Sequence, residues 1–253
     1  MFPLLLALAF QQPAQPPPFL EVRLELWRPQ VRGRMSLDKA FGVDFLDEDA
    51  PEGGHFSFEH DGDLGSASGG SRTRFEFPSG PDGAYLVQFT LARWKGGQRL
   101  EEDEDLGGGM ILPSGTFVES DRVYWALQAG HSWRGESPPW FWSGDIAFAF
   151  YQLDLKSKTD AGELTAGTGA LGPAFGGGLG LRVSELLSFE ASSQLHVPLI
   201  AGTFTLEAGV RIRAQWEWGE VSAGFMGLFG DEGGSNSNRF SMLGPSLGLA
   251  IHF

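Results

Sequence analysis

Bulky apolar residues recur at every second position through most of this chain. In the stretch that closes it, Leu243, Pro245, Leu247, Leu249, Ile251 and Phe253 alternate with Met242, Gly244, Ser246, Gly248, Ala250 and His252. Successive side chains of an extended strand point to opposite faces, so a period of two predicts a strand with one greasy face and one small or polar face. The same rhythm sets Phe204, Leu206, Ala208, Val210, Ile212, Ala214 and Trp216 against Thr205, Glu207, Gly209, Arg211, Arg213 and Gln215. It sets Leu187, Phe189, Ala191 and Leu195 against Ser188, Glu190, Ser192 and Gln194. It continues in 171–183 and 221–229, and in rougher form near residues 20–26, 74–77, 84–91, 122–129 and 145–151.

These runs predict about ten antiparallel strands, within a range of roughly eight to twelve. The segment His55–His60 is weaker and is assigned to a loop. Several runs exceed ten residues, longer than the roughly five or six usual in soluble sheets and close to the 9–11 needed to cross a bilayer. The intervening segments alternate in length. One set (217–219, 185–186, 135–139 and 78–83) is short throughout, and the other (37–70, 96–117, 156–170, 200–202 and 230–240) holds every long loop. The fold class expected is all-β, a closed antiparallel transmembrane β-barrel with long loops on one side and short turns on the other.

Charge decides which face is outside. An arginine on the lipid side near mid-bilayer costs about 2–4 kcal/mol, so the face that carries the arginines must line the lumen. That places Glu21, Arg23, Glu25, Arg74, Glu76, Arg122, Asp145, Arg182, Glu190, Glu207, Arg211 and Arg213 inside. Buried charges persist when paired, and a barrel of about ten strands is only slightly wider than one whose side chains fill it. A lumen plugged by ion pairs is expected, rather than an open pore. Trp94, Trp133, Trp140, Trp142, Trp216 and Trp218 fall near strand ends, where an interfacial aromatic girdle belongs.

Composition narrows the partners. The chain has 253 residues, 37 of them glycine, and a formal charge of −14, which repels nucleic acid. It has no cysteine, so disulfides, thiol nucleophiles and thiolate metal sites are excluded. The apolar run Leu4–Phe10, followed by a Gln/Pro-rich stretch, has the length of a signal-peptide core and is too short for a membrane helix. The organisation expected is a signal peptide over 1–14, a Pro-rich lead over 15–18 and one barrel domain over 19–253.

With its signal-like start, alternating strands and terminal Leu249, Ile251 and Phe253, the chain resembles small bacterial outer-membrane β-barrels of the OmpA/OmpW-like class. The resemblance implies an outer-membrane location, contact with outer-membrane lipid, and a last strand read as a sorting signal by the barrel-assembly machinery. It implies a non-enzymatic role in envelope structure, surface interaction or limited passage of a small solute, without a cofactor. Two alternatives remain: an outer-membrane lipid or peptide hydrolase, and a secreted soluble barrel that holds a hydrophobic ligand with its greasy face inward.

No catalytic constellation emerges. His131 and Ser132 are adjacent, so their side chains diverge to opposite faces. His196 and His252 are expected in the lumen as hydrogen-bonded filling. The acidic segments 44–49, 61–63 and 101–105 fall in long loops, where solvated carboxylates could bind divalent cations, although their spacing matches no EF-hand. The stretch 176–183 is glycine-rich but lacks the Gly-Lys-Ser/Thr ending of a phosphate loop.

Overall fold

The computed structural model describes residues 20–36, 55–57, 69–100, 103–105, 111–160, 162–199, 204–231 and 239–253. The expected signal peptide and Pro-rich lead lie outside these residues, as do the acidic segments 44–49 and 61–63. The described elements are all strands. In chain order they are β1 (Glu21–Trp27), β2 (Gln30–Ser36), β3 (His55–Ser57), β4 (Gly69–Pro78), β5 (Gly83–Arg99), β6 (Glu104–Asp105) and β7 (Ile111–Leu112). There follow β8 (Phe117–Ser137), β9 (Trp140–Thr159), β10 (Gly162–Arg182), β11 (Leu187–His196), β12 (Phe204–Trp216), β13 (Gly219–Asp231) and β14 (Arg239–His252).

Each long strand pairs antiparallel with its sequence neighbours, and β14 returns to pair with β1, so the sheet closes on itself. Closure removes the free edges that would otherwise invite aggregation. Strand β2 also pairs with β14, beyond a break at Arg28–Pro29, so β1 and β2 form a single bent stave. With β4, β5 and β8 through β14 this makes a ten-stave barrel. The chain crosses very close to β14 at the bend: a Cβ on Gly244 would collide with the backbone of Arg28 and Pro29. Only glycine allows that approach.

The greasy face is outside. Val87, Phe89, Leu127, Phe148, Phe175, Phe189, Val210, Phe225 and Leu247 are all exposed on the outer surface. Charged and small residues of the opposite parity are enclosed. A soluble barrel would show the reverse arrangement.

The short turns gather at one end. Ser79–Asp82, Pro138–Pro139, Val183–Leu186 and Glu217–Trp218 connect strand pairs there. Leu20 and Phe253 meet at the same end, where the Phe253 N–H donates to the Leu20 carbonyl at 2.9 Å.

The other end departs from the sequence reading. Residues 156–170, expected as a long loop, continue as strand: Lys158 pairs with Glu163, and Thr159 with Gly162. The expected loop 96–117 is shortened at both ends, because β5 runs to Arg99 and β8 starts at Phe117. His55–Ser57, assigned to a loop, pairs with β2 as a short strand. Strands β5, β8, β9 and β10 therefore reach 17, 21, 20 and 21 residues, against 10–14 for β11 through β14. One side of the wall rises above the rest.

The outer surface of this extension is polar. Arg93 Nε donates to Asp121 Oδ1 at 3.0 Å, Lys95 Nζ lies 2.9 Å from Asp121, and Lys156 Nζ lies 2.6 Å from Glu163. Backbone pairing propagates without a greasy face, and for that reason the side-chain alternation fades before the strands end.

Candidate functional site

Period two delivers the inner residues of each stave to the lumen, where they form two storeys. The lower storey, toward the short turns, is a chain of alternating charges. Asp145 lies 3.9 Å from Arg74, whose Nη2 lies 2.6 Å from Glu76. Arg134 joins Glu76 to Glu21, with its Nη1 at 3.0 Å from Glu21 Oε2. Arg23 links Glu21 at 3.0 Å to Glu220 at 3.2 Å. Arg213 bridges Glu220 and Glu190. Arg211 bridges Glu190 at 2.7 Å and Glu25 at 3.2 Å, and Arg72 bridges Glu25 and Glu207.

Every cation in this chain lies between carboxylates, which is the condition for holding charge in a poorly solvated space. The guanidinium fork suits the task because it can serve two carboxylates at once. Ser132 Oγ donates to Glu76 at 3.3 Å, Gln194 Nε2 donates to Asp145 at 2.7 Å, and the Arg213 guanidinium stacks 5.4 Å from the Phe141 ring. A Cβ at Gly176 would collide with the Asp145 carboxylate, so the missing side chain makes room for the charge.

The upper storey is apolar. Trp27, Tyr124, Tyr151, Leu153, Met226, Leu228, Phe240 and Met242 are buried together. The Tyr124 ring lies 6.1 Å from that of Tyr151 and 6.5 Å from that of Phe240. This cluster bridges the lumen from two stretches of the wall, with members from β13, β14 and β1 on one and from β8 and β9 on the other. Arg122 is buried on the same inner face, opposite Trp94 and Leu155 in register.

Most of the charges singled out in the sequence meet in the lower storey: Glu21, Arg23, Glu25, Arg74, Glu76, Asp145, Glu190, Glu207, Arg211 and Arg213. Arg182 stands apart, paired with Glu136 at 3.0 Å on the exposed short-turn rim. Arg72, Arg134 and Glu220 are members that the sequence reading passed over. Each obeys the inner parity of its strand, and extending the alternation by one step to the strand ends would have found them.

Trp133, Trp140, Trp142, Trp216 and Trp218 flank the short turns on the outer side, with the rings of Trp216 and Trp218 5.2 Å apart. Trp94 lies on β5, and its side chain is outside the described set. Trp125, not singled out in the sequence, packs 5.0 Å from Phe150 toward the other edge of the greasy band. Leu249 and Phe253 are exposed on the outer face, and Ile251 is half-buried there.

The histidines separate. His131 is on the outside, with Nε2 2.9 Å from Ser79 Oγ and its ring against Tyr85 and Trp133. Ser132 points inward to Glu76. His196 is buried inside, 3.2 Å from the Ala149 carbonyl and edge-on to Tyr151. His252 Nε2 lies 3.7 Å from Glu21. Asp103, in the acidic segment 101–105, accepts from the Ser114 N–H at 2.7 Å. Among the described residues, no group of three or more His, Cys, Asp or Glu is placed to hold a metal.

No protein-family model matches the chain, and no curated protein matches it. Among solved structures, it is similar to the attachment invasion locus protein Ail of Yersinia pestis at 11% identity, covering 91% of this chain and 98% of that one, with a TM-score of 0.38. It is also similar to the translocator domain of the autotransporter NalP from Neisseria meningitidis (12% identity, 92% and 88% covered, TM-score 0.43). A third is the Pseudomonas putida toluene transporter TodX (11% identity, 98% and 93% covered, TM-score 0.32).

Proposed function

We propose that the chain is an integral β-barrel of the bacterial outer membrane, non-enzymatic, with a filled lumen, acting in envelope structure or surface interaction. The observation that carries this reading is the inversion of the barrel. Large apolar side chains such as Leu247, Phe225 and Val210 cover the outside of a closed sheet whose charges are paired within. In water that surface would be a large unsatisfied apolar patch; against hydrocarbon it is the stable arrangement.

Three further features support it. Tryptophans mark one edge of the band, at the short turns. Paired charges on β5, β8, β9 and β10 mark the other edge. The two storeys leave little room for passage, which favours structure or surface interaction over solute transport. The Ser79–His131 contact supplies no hydrolase geometry, since no carboxylate among the described residues is hydrogen-bonded to that imidazole.

The test is membrane fractionation combined with electrophoretic mobility. Full-length protein should partition with outer membranes, resist extraction by salt or carbonate, dissolve in detergent, and migrate differently before and after boiling. Recovery in a detergent-free soluble fraction with heat-independent mobility would overturn the assignment.

A further inference from the structure

The lower storey is not solid. A cavity of about 200 Å³ lies within it, lined by Arg72, Arg74, Arg134 and Arg211 and by the small residues Ser192 and Gly209 of β11 and β12. Its lining also includes Glu136 and Arg182 of the short-turn rim. On the far side the aromatic storey closes the barrel. The exposed rim residues Arg134, Glu136 and Arg182 in its lining place a mouth at the short-turn end.

Exposure within the charge chain favours the cations. The carboxylates of Glu21, Glu25, Glu76, Glu190, Glu207, Glu220 and Asp145 have side chains only 2–11% exposed. The guanidinium side chains of Arg72, Arg211, Arg74 and Arg134 are 17%, 17%, 21% and 50% exposed, while Arg23 and Arg213 are as enclosed as the carboxylates. Seven arginines line the cavity against six carboxylates, and the most exposed of the lumen charges are guanidinium groups, so the chamber presents donors to an occupant. A guanidinium has five N–H donors, and two carboxylate contacts leave some of them unused. Small serine and glycine residues in the lining, such as Ser192 and Gly209, keep the space open. The volume falls below the roughly 300–1,000 Å³ of drug-sized sites.

We propose that this chamber binds a small oxyanion, a phosphate or carboxylate group, admitted from the short-turn end and held by Arg72, Arg74, Arg134 and Arg211. This deepens the proposed function: it rests on the barrel standing in a membrane with its lumen blind, and it adds a ligand class to that lumen. Bidentate recognition of planar or tetrahedral oxyanions is what arginine forks provide.

Calorimetric titration of the detergent-solubilised full chain tests it, with inorganic phosphate and acetate as probes at ionic strength matched by chloride. Saturable binding of phosphate or acetate, at least tenfold tighter than any heat seen with chloride, is expected; the ranking of the two identifies the preferred group. Ser192→Phe fills the chamber without removing a charge, and Arg134→Gln removes the most exposed donor. Both should weaken binding at least tenfold while boiling still shifts mobility on the gel. Titrations indistinguishable from chloride would overturn the inference, as would full binding by a folded Ser192→Phe variant. In either case the heat-modifiable mobility would leave the membrane assignment standing, so the two readings fail separately.

Discussion

Glu190 is the residue on which the charge chain turns, because its two oxygens accept from Arg211 and Arg213, both on the neighbouring strand. Truncating it leaves two guanidinium groups facing each other in a poorly solvated space. Glu190→Ala should cost about 3–5 kcal/mol, the range for removing one partner of a buried ion pair, read as the loss in unfolding free energy from urea titration in detergent micelles. Glu190→Gln keeps the shape and two polar atoms, and should lose less. A loss below about 0.5 kcal/mol for the alanine variant, typical of surface sites, would mean that the pairs contribute nothing. Period two marks Glu190, Arg211 and Arg213 as inner residues from sequence alone. It fails for Arg72, Arg134 and Glu220 because they sit at the ends of the apolar runs, where no bulky neighbour anchors the parity. Partner identity is less legible still. Glu21 and Arg134 meet across 113 residues of sequence, and only barrel closure and stagger bring them together.

Each stave carries a greasy segment of limited height, and that height is a physical quantity a substitution can probe. Val210 lies in the middle of the outer face of β12, between Ala208 and Ile212. Val210→Arg should destabilise the membrane-inserted barrel by about 2–4 kcal/mol, the mid-bilayer cost of an arginine, whereas Glu119→Arg, at an exposed outer position on the extended part of β8, should fall within about 0.5 kcal/mol. Refolding into lipid vesicles, followed by urea unfolding, separates the two; equal effects would mean that no bilayer bounds the band. Beyond the band lies Asp121, held down to about 2 chiefly by the hydrogen bond from the Arg93 guanidinium, with Lys95 adding to it. A carboxyl depressed from its ordinary 3.8 stabilises the fold above about pH 4, and the contribution disappears as pH falls through about 2. The gap in thermal unfolding temperature between the native chain and Asp121→Asn should therefore stay constant from pH 7 to about 4 and close between about 4 and 2. The staves themselves were legible wherever one face was greasy. The β9–β10 extension was not, since Lys156, Lys158 and Glu163 replace the apolar partners there and hydrogen bonding to β8 carries the strand onward.

At the scale of the whole barrel, the two storeys obstruct the lumen by different physics, and a passing ion would have to defeat both. In the charged storey it must displace carboxylate–guanidinium pairs that already satisfy each other. In the aromatic storey it must shed water between Tyr124, Tyr151 and Phe240, which offer few polar groups in return. The second barrier is the stricter, because an ion can exchange partners within a charged lattice but gains none among aromatic rings. The native chain in a planar bilayer should accordingly show no stable conductance. Removing rings is expected to matter more than removing a single pair: the triple variant Tyr124→Ala, Tyr151→Ala, Phe240→Ala should admit small, flickering currents through a barrel that still shifts on boiling. Arg134→Gln alone should remain silent. Large, steady currents from the native chain would mean that the storeys part in a bilayer. If the ring-depleted barrel stayed silent while Arg134→Gln conducted, the seal would lie in the charge chain, and the order of the two barriers would be reversed.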